Sequence, residues 1–274
     1  FRKSIVIKFG GGSIGDAKIR RSILEDIAFM NFAGMNPVLV HGGGPYINEK
    51  LKQVGKTFKF VNGMRVTDEE TMKIVDEALG ELNHKLVEEI RAIGAEAFGL
   101  SGKENKLLRA VVVPNAKEKG YASKVEAVDT TILNRLIETS IIPVICPVGM
   151  GADGYLYNIN ADDAAANIAI AIKAEKLAVL TNVQGIMMDK EKPESLMDSL
   201  SLDDAKYLIE KGIINDGMIP KAKSCVQALE GKVKKAHIVN ANIPHAILLE
   251  IFTDKGIGTE IARLGRRTKA TEGV

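Results

Sequence analysis

The stretch IVIKFGGGSIGD, residues 5–16, decides how this chain is read. An apolar run of strand type reaches a lysine, Lys8, and then a cluster of glycines. Gly10, Gly12 and Gly15 spell G-x-G-x-x-G, the spacing of a dinucleotide turn. Read together with Lys8, the same glycines instead clear space for phosphate beside an ammonium group. The first reading implies hydride transfer and the second phosphoryl transfer.

The hydride reading needs an acidic residue at the end of the second strand, to hold a ribose hydroxyl. That strand, PVLVH at 37–41, ends in His41 and runs into GGGP, with no Asp or Glu. Lys8 favours phosphate. In a strand covered on both faces its ammonium leaves water, and an unpaired buried charge is costly. A polyanion at the strand's carboxyl end pairs it, and glycines let backbone N–H groups approach that anion closely. The helix that follows, DAKIRR, adds a positive N-terminal end. HGGGP at 41–45 closes the neighbouring strand with a second glycine cluster. One glycine suffices for a turn, and three in a row cost backbone entropy, so the two loops read as a cradle for one anionic group.

Two further motifs fit the same site. In NDGMIPK, 215–221, Pro220 suits the first turn of a helix and brings Lys221 with it. A cation beside the positive end of a helix is unfavourable unless an anion binds there. In YNINADDAA, 157–165, Asn160 is an N-cap and Asp162 opens an alanine-rich helix. An acid is stabilising at a helix start in its own right, and Asp162 is also placed to lie between the two lysines.

Around these motifs, apolar runs alternate with helical periodicity. A capping box at Thr67 and Glu70 is predicted to open a long helix that ends at Gly94. Residues 105–128 read as antiparallel hairpins, and TEIA as the last strand. The alternation predicts an α/β fold with a largely parallel sheet covered on both faces, and ligands at the carboxyl ends of its strands. The 274 residues carry 37 basic and 35 acidic side chains, a net charge of +2, so no basic field for nucleic acid is present. RLGRRTKA near the C-terminus is a short solvated basic run. The two cysteines, Cys146 and Cys225, lack zinc-type spacing and read as reduced thiols of a cytoplasmic protein. No run approaches the roughly 20 apolar residues of a membrane span, and no signal peptide is visible.

K-x-G-G at Lys8–Gly11, HGGGP at 41–45, NGMRVT at 62–67, NINAD at 158–162 and GMIPK at 217–221 follow one another in order. Together they resemble the acetylglutamate kinases of the amino acid kinase family, over nearly the whole chain. The resemblance implies a three-layer αβα sandwich around an open sheet shared by two lobes. Residues 1–160 would bind the acid and form a homodimer, and residues 161–274 would bind ATP with Mg2+ carried on it. The reaction implied is phosphoryl transfer from ATP to the side-chain carboxylate of N-acetyl-L-glutamate, in arginine biosynthesis. By motif, Lys8 and Lys221 would neutralise the migrating phosphoryl group, with Asp162 holding both. Gly11 and Gly44 would donate N–H bonds to it. Gly43, Gly44, Arg65, Asn158 and Asn160 would hold the acid. Gly10, Gly11, Gly12, Thr181, Asn182, Val183 and Gly185 would face the nucleotide. No dedicated protein metal cage is expected.

A carboxylate is already a nucleophile and needs no general base, so charge neutralisation and in-line positioning carry such a transfer. Arg65 suits an α-carboxylate because its guanidinium grips bidentately. GYASKV at 120–125 stands where that family has a glycine-richer hairpin, and Asn182 where it commonly has an aspartate. HAILLEIFTDKGIGTEI resembles the arginine-inhibited members, with His245, Asp254, Gly256 and Gly258 as effector candidates. An amino-terminal helix upstream of Phe1 would join dimers into a hexamer, and without it a dimer is expected. Two competing readings stand beside this one. One is a sister kinase for another small acid; the other is a non-catalytic regulator binding nucleotide or arginine.

Overall fold

The computed structural model describes residues 3–61, 64–112, 122–189, 191–215, 217–253 and 256–264. The chain opens with β1 (Ser4–Phe9), α1 (Ala17–Phe32), β2 (Asn36–His41) and α2 (Gly44–Gln53). A short hairpin, β3 (Phe60–Val61) and β4 (Met64–Arg65), precedes the long α3 (Glu69–Ile93). Then come β5 (Ala97–Ser101), β6 (Leu108–Val112), β7 (Ala122–Val128), α4 (Thr131–Glu138), β8 (Ile142–Cys146), β9 (Val148–Gly151) and β10 (Leu156–Ile159). The remainder runs α5 (Ala161–Ala171), β11 (Lys176–Thr181), β12 (Ser199–Ser201), α6 (Leu202–Glu210), α7 (Met218–Glu230), β13 (Lys235–Asn240), α8 (Ala246–Phe252) and β14 (Thr259–Ala262).

Eight strands form one sheet in the order β12-β14-β13-β11-β1-β2-β8-β5. Pairing is parallel throughout except between β13 and β14. β6, β7, β9 and β10 close into a small barrel beside it. The sheet is covered on both faces, which gives the three-layer sandwich expected from the sequence.

The period of two along a strand decides what each face sees. Ile5, Ile7 and Phe9 pack with α1, α3 and α8 residues such as Ile23, Leu82 and Ile247. Val6 packs with α5 and α7 residues such as Ala165 and Ala222. Lys8 has the parity of Val6, so it rises from the α5–α7 face. That parity brings a strand lysine to the helix starts that carry Asp162 and Lys221. The alanines of α5 let that helix lie close to β1 and α7, because a methyl group is all the gap admits.

Three local expectations change. The long helix is capped by Asp68, which accepts from Thr71 N–H at 2.7 Å; it is not opened by a Thr67–Glu70 box. Thr67 is buried, and its hydroxyl donates to the Arg65 carbonyl instead. α1 does not offer a free N-terminus to the glycine loop, because Asp16 accepts from the N–H groups of Lys18 and Ile19. A single 3-10 turn, Gly12–Ile14, lies between the loop and that helix. Finally, the second glycine cluster is not wholly a loop, because α2 begins inside it at Gly44.

Candidate active site

Asp162 sits in the first turn of α5, behind the Asn160 cap, which accepts the Asp162 N–H at 2.7 Å. Its carboxylate meets both lysines: Lys8 Nζ lies 2.9 Å from Oδ1 and Lys221 Nζ 3.4 Å from Oδ2. Lys8 and Asp162 are 6% and 4% exposed, so the pair is cut off from bulk water. Burial drives the Asp162 carboxyl up, and the two ammonium groups more than reverse this, holding it below the usual carboxylate range. Burial pushes the Lys221 ammonium down, with Lys8 adding repulsion that Asp162 only partly offsets. Two cations thus share one anion. The surplus positive charge, in a low-dielectric setting, is a strong demand for another anion. Asp163, one helix step away, points elsewhere and accepts Val125 N–H and the Asn167 amide, each at 3.0 Å.

Two hollows meet at this trio. The first, of 260 Å³, runs from Lys8 and Asp162 past Gly11, Gly43 and Gly44 to Arg65 and Asn158. α2 opens on it with no capping side chain among the described residues, so the Gly44 N–H, ahead of Pro45, is left for a ligand. Gly11 has φ 73° and ψ −157°, a backbone state that essentially only glycine holds. A β-carbon on Gly11 or Gly44 would meet nothing within 4 Å, whereas one on Gly43 would collide with Leu79 Cδ2. Arg65 is buried, its guanidinium carbon 5.0 Å and 4.8 Å from the ring centres of Phe58 and Phe60. Its Nη2 donates to Asn48 Oδ1, and its buried Nη1 has no partner among the described residues. Burial alone lowers its pKa. A buried guanidinium with a donor unspent is poised for a carboxylate.

The second hollow, of 440 Å³, is bordered by Thr181, Asn182, Val183 and Gly185. Ile213, Ile214 and Met218 add to its lining, and so does Lys221, which ties it to Asp162. Asn215 brings a buried Oδ1, without a partner among the described residues, into this largely apolar slot. The chain therefore places a small charged chamber at Lys8 and Asp162 and a larger apolar slot at Lys221, joined by one ammonium–carboxylate–ammonium cluster.

Residues 3–240 match the Amino acid kinase family. This chain belongs to that family. The Acetylglutamate kinase of Caldanaerobacter subterraneus subsp. tengcongensis is 47% identical over 262 residues, 95% of this chain and 88% of that protein. That of Petrotoga mobilis is 48% identical over 259 residues, 94% of this chain and 87% of that protein. Among solved structures, N-acetylglutamate synthase from Neisseria gonorrhoeae with coenzyme A and N-acetyl-glutamate superposes with a TM-score of 0.82 at 26% identity. The match covers 96% of this chain and 60% of that one. The same synthase with coenzyme A and L-arginine gives 0.81 at 25%, covering 96% and 62%.

Not every residue expected of this amino acid kinase reaches the hollows. Gly10 and Gly12 border neither. Gly10 is small so that it can pack on Gly42, whose Cα and N would lie 3.3 Å from an added β-carbon; Gly12 starts the 3-10 turn. Asn160 borders the first hollow, but its side-chain oxygen is taken by the cap. Of the effector candidates, Asp254 lies outside the described residues. His245 pairs with the buried Asp26 at 2.7 Å. Gly256 and Gly258 lie against Glu250: its Oε2 accepts Gly258 N–H at 2.9 Å and Ile257 N–H at 2.7 Å. Its Oε1 lies 2.8 Å from His237 Nδ1. Sequence reasoning passed over Phe58, Phe60, Ile213, Ile214 and Asn215. Only the FKF beside the arginine motif signalled any of them, as aromatic cover for a cation.

Proposed function

We propose that this amino acid kinase transfers the terminal phosphoryl group of ATP to the side-chain carboxylate of N-acetyl-L-glutamate, giving N-acetyl-L-glutamyl 5-phosphate for arginine biosynthesis. The observation that carries the reading is the junction of two unlike hollows at Lys8, Asp162 and Lys221. The acid takes the small chamber, its α-carboxylate on the spare Nη1 of Arg65 and its reacting carboxylate towards Lys8. The nucleotide takes the larger slot, its base between the apolar walls and its phosphates towards Lys221. Two anions must approach each other, and each meets an ammonium group at the point of transfer. Lys8, Lys221 and the N–H groups of Gly11 and Gly44 spread the charge of the migrating group, while Asp162 keeps both lysines from drifting into water. Mg2+ would travel with the nucleotide on phosphate oxygens and water, adding further charge neutralisation.

We assign residues 1–160 to an acid-binding, dimer-forming lobe and 161–274 to a nucleotide lobe, the joint lying at the Asn160 cap. L-arginine is proposed as an effector at the segment 245–261, with His245, Asp254, Gly256 and Gly258 as its candidate residues, in keeping with the L-arginine complex of the Neisseria synthase. Incubation with MgATP and hydroxylamine tests the main reading. Hydroxamate is expected with N-acetylglutamate and not with glutamate or aspartate. Hydroxamate from aspartate instead would move the assignment to a sister kinase, and none with any acid would point to a regulator. A fall in the N-acetylglutamate rate with added arginine tests the effector.

A further inference from the structure

His41 lies at the root of the acid-binding glycine loop, and the transfer described above gives it no task. It is fully buried at the end of β2, with Nδ1 2.9 Å from the Gly42 carbonyl oxygen. Its Nε2 lies 3.1 Å from Asn83 Nδ2 of α3, and the same Asn83 nitrogen donates to the Val144 carbonyl at 2.9 Å. These contacts leave one consistent assignment of protons. A carbonyl oxygen accepts only, so the Asn83 amide presents its nitrogen there, and that nitrogen's second hydrogen faces the imidazole. Nε2 must then accept, the proton resides on Nδ1, and Nδ1 donates to Gly42. Burial agrees, holding the imidazole pKa down to about 4 and the ring neutral.

The peptide plane carries this bond to the site. In a trans peptide the carbonyl of one residue and the N–H of the next point opposite ways. Fixing the Gly42 oxygen towards His41 turns the Gly43 N–H away from it, and both residues of this peptide border the acid chamber. α3 braces the loop twice from one face: Leu79 presses where a Gly43 β-carbon would be, and Asn83, four residues on, locks the imidazole. We infer that His41 is a positioning residue for the acid: its Nδ1–H tautomer, set by Asn83, orients the Gly42–Gly43 peptide so that the Gly43 N–H is presented to the substrate. This rests on the assignment of that chamber to the acid.

Long-range proton–nitrogen correlation spectra of the whole protein test the tautomer without any assay, the His41 signals being assigned by their loss in His41→Asn. A protonated Nδ1 and a bare Nε2 are expected. A proton on Nε2 overturns the inference even if the chain proves a perfect kinase. Kinetics test the consequence. His41→Asn keeps an amide nitrogen at the Nδ1 position, whereas His41→Gln reaches Asn83 but leaves Gly42 without its donor. His41→Gln should raise KM for the acid about tenfold, as loss of one buried hydrogen bond does. KM for ATP should move less than about twofold, and His41→Asn should recover most of the loss. Equal effects of the two substitutions on acid KM, or parallel rises in both KM values, would reduce His41 to a packing residue. Absence of activity in the unaltered protein would instead sink the kinase reading and leave the spectra to judge the tautomer.

Discussion

The two hollows beside Asp162 recognise their ligands in opposite ways. The acid chamber is small and specified by charge: a buried guanidinium with a free donor, a helix start without a cap, and Lys8. The slot for the nucleotide is larger and specified mostly by shape, with Ile213, Ile214, Met218 and Val183 as walls and one lysine in its lining. Buried charges and unsatisfied donors discriminate strongly, because a ligand that fails to pair them leaves their desolvation unrelieved. Apolar walls discriminate weakly, each methylene contributing little. Substitutions on the acid side should therefore be severe and selective, and those in the slot mild.

The largest effects belong to the shared boundary. Lys8→Ala and Lys221→Ala should each lower kcat about 10²–10³-fold, the usual loss when one donor to a developing charge is removed. KM values should shift far less. Near-normal kcat in both variants would break the comparison at its root, because the hollows would then have no common reacting centre. Next comes Arg65→Ala, which should raise KM for the acid roughly 10–100-fold, the worth of a charge-assisted bidentate contact, and leave KM for ATP within about twofold. Arg65→Lys should recover little, since an ammonium neither forks nor stacks between two rings. If Arg65→Ala raised both KM values alike, the guanidinium would be bracing the lobes rather than reading one ligand.

The chemistry of the acid side was legible in the sequence for the same reason that it is severe. Lysine in an apolar strand and paired glycine loops conflict with ordinary packing, and each conflict points to a ligand; an aspartate at a helix start does not, and Asp162 gained its meaning only from the two lysines beside it. The slot was legible only through Lys221 and, by resemblance, Thr181, Asn182, Val183 and Gly185. Ile213 and Ile214 look like any buried isoleucines until the fold sets them in one hollow with Val183. Glycine was the ambiguous letter. Gly10, expected at the nucleotide, is small so that two strand ends can touch, and nothing in its neighbours distinguishes that use from phosphate contact. The helix cap moved by one residue because burial of Thr67 beneath Arg65 outweighs its capping propensity, leaving the task to Asp68.

A milder test uses protonation. Burial lowers the Lys221 pKa, so this base loses its proton at a lower pH than an ordinary lysine. The charge needed for phosphate is present below the shifted pKa and lost as pH rises through it. kcat/KM for ATP, which reports the free enzyme, should show an alkaline limb beginning below the usual lysine range. Lys221→Arg should displace that limb upward in whatever activity it retains. A profile flat through the lysine range would mean that Lys221 is held charged by something other than Asp162.

The smallest expected effect lies at the rim of the slot. Val183 borders the slot and is 38% exposed in the free protein, so its side chain gains full cover only when a ligand arrives. Val183→Ala removes two methyl groups and leaves one, a net loss of about two methylenes of apolar surface, only part of which a base would cover. At roughly 0.8 kcal/mol per buried methylene, KM for ATP should rise about three- to fivefold. KM for the acid should stay put, and so should the thermal midpoint, since the lost surface was half in water before the ligand came. An unchanged KM for ATP would place the base elsewhere along the slot, against Ile213 and Ile214. A change above about a hundredfold would contradict the contrast itself, because no partly exposed valine contributes that much by shape alone.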